Sequence, residues 1–237
     1  MTDVRLSDRL PDDLPTNPMH RAHDWMNDAA DLAGMRNPNS MTLTTVGAGA
    51  RPSARIVLCK SIVADPGYLV FFTNYASRKG EELKTNSAVA AVFHWDSIGR
   101  QIRIEGTAVK SPAADSDAYF STRPWGSQLG AWGSDQSREI ASREALVAQV
   151  RERARTLGIQ LGHDTQTLKN DTPPVIERPP HWGGYRIWAT AIELWVEGAD
   201  RIHDRARWTP AAVAARCTHV RGRAVARHAP ATLTRAP

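Results

Sequence analysis

MTLTTVGAGARPSARIVLCKSIVADPGYLVFFT, residues 41–73, is the stretch on which the fold turns. Met41 to Val46, Arg55 to Ile62 and Tyr68 to Thr73 are rich in β-branched and aromatic side chains. Gly47-Ala48-Gly49 and Asp65-Pro66-Gly67 separate them with residues that supply the unusual or fixed φ values of turns, so a three-stranded meander is predicted. Upstream, Asn17-Pro18 is an N-cap and first-turn signal, and Met19, Ala22, Trp25, Met26 and Ala29 recur at helical spacing, predicting a helix to about Gly34. Downstream, Ser77 precedes a short helical stretch to about Thr85. Strands Ala88 to Trp95 and Gln101 to Lys110 follow, joined by Ser97-Ile98-Gly99.

Pro112 opens a helix through Tyr119 and Phe120, and Ser137 to about Leu157 is expected as a longer charged helix with Ile140, Leu146 and Val150 on one side. Residues 162–181 hold four prolines and are expected as a loop. Gly184 to Trp188, Ala191 to Val196 and Arg201 to Trp208 resume strand character. The predicted class is mainly β, an antiparallel barrel with peripheral helices. It is allotted a flexible segment over 1–15, one domain over 16–209 and an atypical Ala/Arg-rich tail over 210–237.

The 237 residues, with 41% hydrophobic content and eight Trp, suffice for a full core, and no apolar run approaches the roughly 18 residues of a membrane span. Met1 to Pro15 carries four Asp and no apolar h-region, so it does not read as a secretory signal, and a cytoplasmic protein without membrane attachment is expected. Cys59 and Cys217 are far apart and lack Cys-x-x-Cys spacing, which supports neither a disulfide framework nor a metal site. The net charge of +5 is carried by Arg216, Arg221, Arg223, Arg227 and Arg235 of the tail, leaving residues 1–210 neutral. No cationic surface for nucleic acid is therefore expected of the folded part.

Several constellations carry chemistry. Arg55 and Lys60 bracket a strand, point to opposite faces and lie about 16 Å apart, so they serve two anions, or one anion and solvent, rather than clamping one phosphate. Ser77-Arg78-Lys79 stands at a strand-to-helix junction where free amides and two cations suit an anion. Gln101, Arg103 and Glu105 alternate with Ile102 and Ile104, giving one polar strand face that meets either solvent or a heterocycle. Tyr119, Arg123 and Ser127 are apt for a small phosphate monoester. Strand alternation places Arg201, His203 and Arg205 on one face, an arrangement that calls for an anion among them and disfavours a charged imidazole, or else is a solvated face partly compensated by Asp204.

Taken in order, Arg55 to Lys60, Ser77-Arg78-Lys79, Arg100-Gln101, the stretch from Tyr119 to Gln128, Gly130-Ala131-Trp132 with Gln136-Ser137, His181-Trp182-Gly183-Gly184-Tyr185-Arg186 and Arg201 to Arg205 resemble the pyridoxine/pyridoxamine 5′-phosphate oxidase family over about residues 14–209. The resemblance implies an FMN-binding split β-barrel and a homodimer with active sites at the subunit interface. It implies flavin-binding positions at Arg55, Ile56, Val57, Leu58, Lys60, Phe72, Thr73, Arg78, Lys79, Gln101, Gln136, Ser137, Trp195 and Arg205. Lys60, Tyr119, Arg123 and Ser127 match the pocket for the substrate phosphate, and Arg201 and His203 match substrate-binding, catalytic residues beside the pyridine ring. The implied reaction is oxidation of pyridoxamine or pyridoxine 5′-phosphate to pyridoxal 5′-phosphate, with O2 as acceptor and hydrogen peroxide as product, and ammonia released from the amine.

Three departures from the family's pattern stand out. No Tyr precedes Tyr68 where the family has an Arg-x-x-Tyr element, Val196 replaces a common Gln, and no Trp-bearing final strand is legible after Pro210, which reads as a divergent or frameshifted terminus. The competing readings are a related split-barrel flavin oxidase such as those of phenazine biosynthesis, a non-catalytic carrier of FMN or pyridoxal phosphate, and nucleic-acid binding through the tail.

Overall fold

The meander forms as its turns and alternation predict. In the computed structural model, which describes residues 9–32, 34–162, 174–209 and the backbone of 232–233, β1 (Ser40–Val46) pairs antiparallel with β2 (Pro52–Val63) from Ser40↔Leu58 to Val46↔Pro52. β2 pairs in turn with β3 (Tyr68–Asn74), with a register shift between Cys59 and Ser61. The chain divides into two compact units, one of Met1–Phe71, Asn86–Val109 and Arg186–Pro237, the other of Phe72–Thr85 and Lys110–Tyr185.

The first unit is built on a closed antiparallel barrel. Its strands follow the order β3, β2, β1, β4 (Ala88–Trp95), β5 (Arg100–Lys110) and β6 (Trp182–Val196), and β3 pairs again with β6. Closure leaves no free edge among these six strands. Their inward positions, among them Met41, Leu43, Leu69, Phe71, Phe93, Ile102, Ile104 and Ile187, are all fully buried, each stabilising the fold by about 1.5–3 kcal/mol relative to an exposed side chain. β7 (Asp204–Trp208) extends the sheet beyond β6, from Val196↔Asp204 to Ile192↔Trp208, and β8 (Thr232–Leu233) pairs with β7.

Helix α1 (Pro18–Asp31) begins where Asn17 Oδ1 accepts the Met19 N–H at 3.0 Å. It buries Met19, Ala22, Trp25 and Ala29, and Arg100 ties it to β5 through Asp28 at 2.6 Å. Inside the segment expected to be flexible, Leu10 is buried, its N–H donates to Asp204 Oδ2, and Pro15 O accepts from Trp208 Nε1 at 3.0 Å.

The second unit carries α2 (Arg78–Thr85), α3 (Ala113–Ser121), α4 (Trp125–Gly133) and α5 (Arg143–Thr156) around a cluster of Phe120, Leu129, Ala154, Ile159, Leu161, Ile176 and Trp182. No described helix is long and apolar enough to cross a membrane. The rest of the tail after Thr209, and most of the Pro-bearing loop, lie outside the described residues.

Four expectations are corrected. The strands Gly184 to Trp188 and Ala191 to Val196 are one strand, because Ala189 and Thr190 continue its alternation and the Thr190 hydroxyl donates to Glu105 O at 3.2 Å. The helix expected from Ser137 begins at Arg143: Ser137 has φ 69, a left-handed geometry that cannot propagate a helix, and Ser142 Oγ caps the true start by accepting the Ala145 N–H. Ile140 is consequently exposed. α4 was not anticipated, since its three glycines between Trp125 and Gly133 weaken the helical signal. Finally, Arg201 to His203 are not strand. The chain makes a short 3-10 turn at Ala199–Arg201, with Asp200 and Arg201 at φ 55 and 63, and β7 begins only at Asp204.

Candidate active site

That last correction reshapes the first unit's polar face. Arg201, His203 and Arg205 do not share a strand face; Arg201 and His203 belong to the loop between β6 and β7, and only Arg205 stands in the ladder, opposite Trp195. The loop nonetheless brings His203 against Trp195, with ring centroids 4.7 Å apart. Gly198 N–H donates to His203 Nδ1 at 3.1 Å, so the ring proton is on Nε2 and the imidazole presents a donor outward.

Gly198 fixes this loop. A Cβ there would fall on Ile202 O, although the backbone at φ −119 is one that alanine accepts. Gly198→Ala is therefore expected to destabilise by about 1–3 kcal/mol through crowding, against the ~0.4–1 kcal/mol gain of an unhindered Gly→Ala exchange. Urea unfolding checks the sign.

Along the same sheet face the charges interlock. Glu193, only 6% exposed, accepts from Arg103 Nη1 at 3.3 Å and lies 3.7 Å from Arg205 Nε. Glu105 receives Arg207 Nη2 through both oxygens at 3.0 Å and lies 3.7 Å from Arg103. Gln101, half-buried, continues that face of β5. Arg205 Nε is buried and has no hydrogen-bond partner among the described residues, Glu193 lying too far at 3.7 Å to complete one.

β2 carries the remaining candidates of this unit. Arg55 is held by Leu43 O at 3.3 Å and by the hydroxyls of Thr45 and Ser53, each at 2.5 Å. Burial alternates from Arg55 to Lys60, so the two cations do face opposite ways: Arg55, Val57 and Cys59 on one side, Ile56, Leu58 and Lys60 on the other. Ile56, in the middle of the strand, is 64% exposed. Cys59 is no nucleophile, because burial pushes its thiol up to about 12.

The second unit holds two clusters. In the first, Lys79 is 7% exposed and its ammonium donates to Gln136 Oε1 at 2.8 Å, Thr73 Oγ1 at 2.9 Å and Ser77 Oγ at 3.1 Å. Arg78, the other cation of the anticipated cradle, is exposed and paired with Glu82 at 2.9 Å. Gln136 and Ser137 line a cavity of about 640 Å³ with Asn74, Arg138, Arg153 and His181.

In the second cluster, Phe72 stacks on Tyr119 at 4.0 Å and on Trp182 at 5.4 Å. The Arg123 guanidinium lies 4.6 Å from the Trp182 ring centre. Burial holds that guanidinium below its usual range, with Tyr119 opposing the shift. Ser127 stands exposed on the first turn of α4. Trp182 stands in a quoted motif without an assigned role, and Glu193 is in none of the motifs. For Glu193 the signal was a carboxylate inside the apolar run of 191–196, which requires a partner. Among the described residues no cluster of His, Cys, Asp and Glu could hold a metal ion.

Comparison with known proteins places these clusters in context. Residues 28–156 match the family model described as pyridoxamine 5′-phosphate oxidase, and residues 182–221 match that of the pyridoxine 5′-phosphate oxidase C-terminal dimerisation region. The chain is 47% identical over 197 residues to the pyridoxine/pyridoxamine 5′-phosphate oxidase of Paraburkholderia phymatum, covering 83% of this chain and 84% of the relative. Among solved structures it is similar to PhzG from Burkholderia lata 383 in complex with tetrahydrophenazine-1-carboxylic acid, with TM-score 0.74, 27% identity and 95% of each chain covered. It shares its fold with a pyridoxamine 5′-phosphate oxidase-related, FMN binding protein from Nostoc punctiforme, with TM-score 0.61, 12% identity and coverage of 84% and 92%.

Proposed function

The chain belongs to the pyridoxamine 5′-phosphate oxidase family, and from that premise we propose that it oxidises pyridoxamine or pyridoxine 5′-phosphate to pyridoxal 5′-phosphate as a cytoplasmic homodimer that binds FMN. The observation that carries this reading is the sheet face of Gln101, Trp195 and Arg205, where the buried Arg205 Nε, 3.7 Å from Glu193, has no hydrogen bond among the described residues. A flavin edge, rich in carbonyl oxygens and ring nitrogens, is what such a donor fits. The ammonium of Lys79, its three N–H groups given to Thr73, Ser77 and Gln136, adds a buried positive charge suited to an anionic cofactor. When bound, FMN supplies the acceptor for a hydride from the substrate's C4′ carbon and passes the electrons to O2, giving hydrogen peroxide.

This chain's residues have the tasks of binding and orientation. Lys60, Tyr119, Arg123 and Ser127 are the residues assigned to the substrate phosphate, whose attachment far from the reacting carbon provides the anchoring energy. Arg201 would cover the pyridine and polarise it. His203, with Nδ1 already engaged by Gly198, would orient the C4′ substituent through Nε2–H rather than take up its proton. The exposed Ile56 and Leu58 are suited to burial against a second copy, and the matched dimerisation region supports that assembly. On this reading residues 16–209 form the FMN-binding oxidase domain.

The likeness to PhzG favours one second reading, oxidation of a different ring by the same cofactor. The decisive experiment is anaerobic addition of pyridoxamine 5′-phosphate to FMN-loaded protein. The flavin colour should bleach and return with air, with peroxide formed. Protein that retains flavin but keeps its colour would refute the substrate, and protein that retains no flavin would refute the whole reading.

A further inference from the structure

Arg123 is a cation in an apolar setting. Its guanidinium carbon lies 4.6 Å from the Trp182 ring centre and 5.6 Å from that of Phe120, and its Nη1 is buried without a hydrogen-bond partner among the described residues. It makes no ion pair among the described residues. Such a group costs free energy unless something anionic meets it.

Trp182 is itself immobilised. It is 7% exposed, meets Phe120 edge-on at 5.2 Å and stacks nearly parallel to Phe72 at 5.4 Å. Its backbone is fixed at both polar atoms, the N–H donating to Pro179 O at 3.1 Å and the carbonyl accepting from Arg178 Nη1 at 2.6 Å. A flexible guanidinium packed on a rigid indole loses little further rotamer freedom when it binds an oxyanion.

We propose that Trp182 is a positioning residue that sets preference for phosphorylated over unphosphorylated substrates, by holding Arg123 on its indole face with Nη1 turned to a phosphate oxygen. This rests on the reading of Arg123 as a phosphate ligand. The indole does not touch the phosphate; it acts through the guanidinium. A cation–π contact of about 1–2 kcal/mol in a desolvated setting corresponds to about a tenfold effect on anion affinity.

The test compares wild type with Trp182→Leu and Trp182→Phe as FMN-loaded proteins. Steady-state oxidation of pyridoxamine 5′-phosphate and of unphosphorylated pyridoxamine is measured, together with calorimetric binding of inorganic phosphate. For Trp182→Leu, KM for the phosphorylated amine should rise about tenfold with kcat within about twofold, kcat/KM for pyridoxamine should hold, and phosphate affinity should fall about tenfold. Trp182→Phe should recover about half of the loss in free energy, since a smaller aromatic face remains. Equal losses on both amines, or unchanged phosphate affinity, would overturn the proposal. Should Trp182→Leu not fold, the phenylalanine variant decides: a selective loss of about threefold in phosphate affinity supports the role, and none rejects it. Phosphate binding separates the two failures, because wild type that binds phosphate yet oxidises neither amine refutes the proposed reaction while the Trp182 comparison still stands.

Discussion

Lys79→Met is expected to weaken FMN binding about 100-fold while leaving the fold of the cofactor-free protein intact, because a charge-assisted bond to an anionic ligand is worth about 1.5–3 kcal/mol. Methionine matches the length of the lysine stem and fills the same buried volume. What it removes is the ammonium that gathers Thr73, Ser77 and Gln136. Those three groups are not left equal. Ser77 Oγ still donates to Asn74 O at 2.7 Å and Thr73 Oγ1 still donates to Gln136 Oε1 at 3.3 Å, so the cost to the cofactor-free fold is limited to weakened acceptor satisfaction. Flavin fluorescence titration and thermal melts of the cofactor-free protein check the two halves. Unchanged affinity would remove Lys79 from the cofactor's site, and collapse of the melt would make it a core residue instead.

Lys79 also illustrates what the sequence could and could not convey. Ser77-Arg78-Lys79 reads as a junction suited to an anion, yet the two cations have different fates. The helical repeat puts Arg78 one turn from Glu82, which pairs with it, while Lys79 turns inward to a glutamine 57 residues away. Long-range partners of this kind leave no local trace. The alternation of Arg55 to Lys60 was fully legible because a strand's period is a local property, and the structure keeps the two cations on opposite faces. The run from Arg201 to Arg205 failed for the complementary reason. Ile202 and its neighbours read as strand, but the close approach of the backbone at Gly198 to Ile202 O, which only a residue without a Cβ permits, and the left-handed geometry of Asp200 and Arg201 make it a loop. Glu193 drew no reading and Trp182, though part of a quoted motif, drew no role, because their meaning lies in what the fold packs on them, a guanidinium in each case.

The loop origin of Arg201 gives the second large effect its distinctive form. Arg201→Ala is expected to slow flavin reduction by pyridoxamine 5′-phosphate about 100-fold, the scale of a lost donor that acts on developing charge, with FMN affinity changed less than about twofold. The side chain is exposed and makes no hydrogen bond or ion pair among the described residues, so its removal takes nothing from the loop. Alanine and arginine bear the left-handed backbone at φ 63 about equally, and stability should stay within about 0.5 kcal/mol. A structural role would couple the two losses: if Arg201 merely held the loop, its truncation would release His203 from Trp195 and lower flavin affinity in step with rate. Stopped-flow reduction under anaerobic conditions, set beside flavin titration of the same variant, separates these cases. Equal losses would assign Arg201 to scaffolding and leave His203 as the one loop residue beside the reacting carbon.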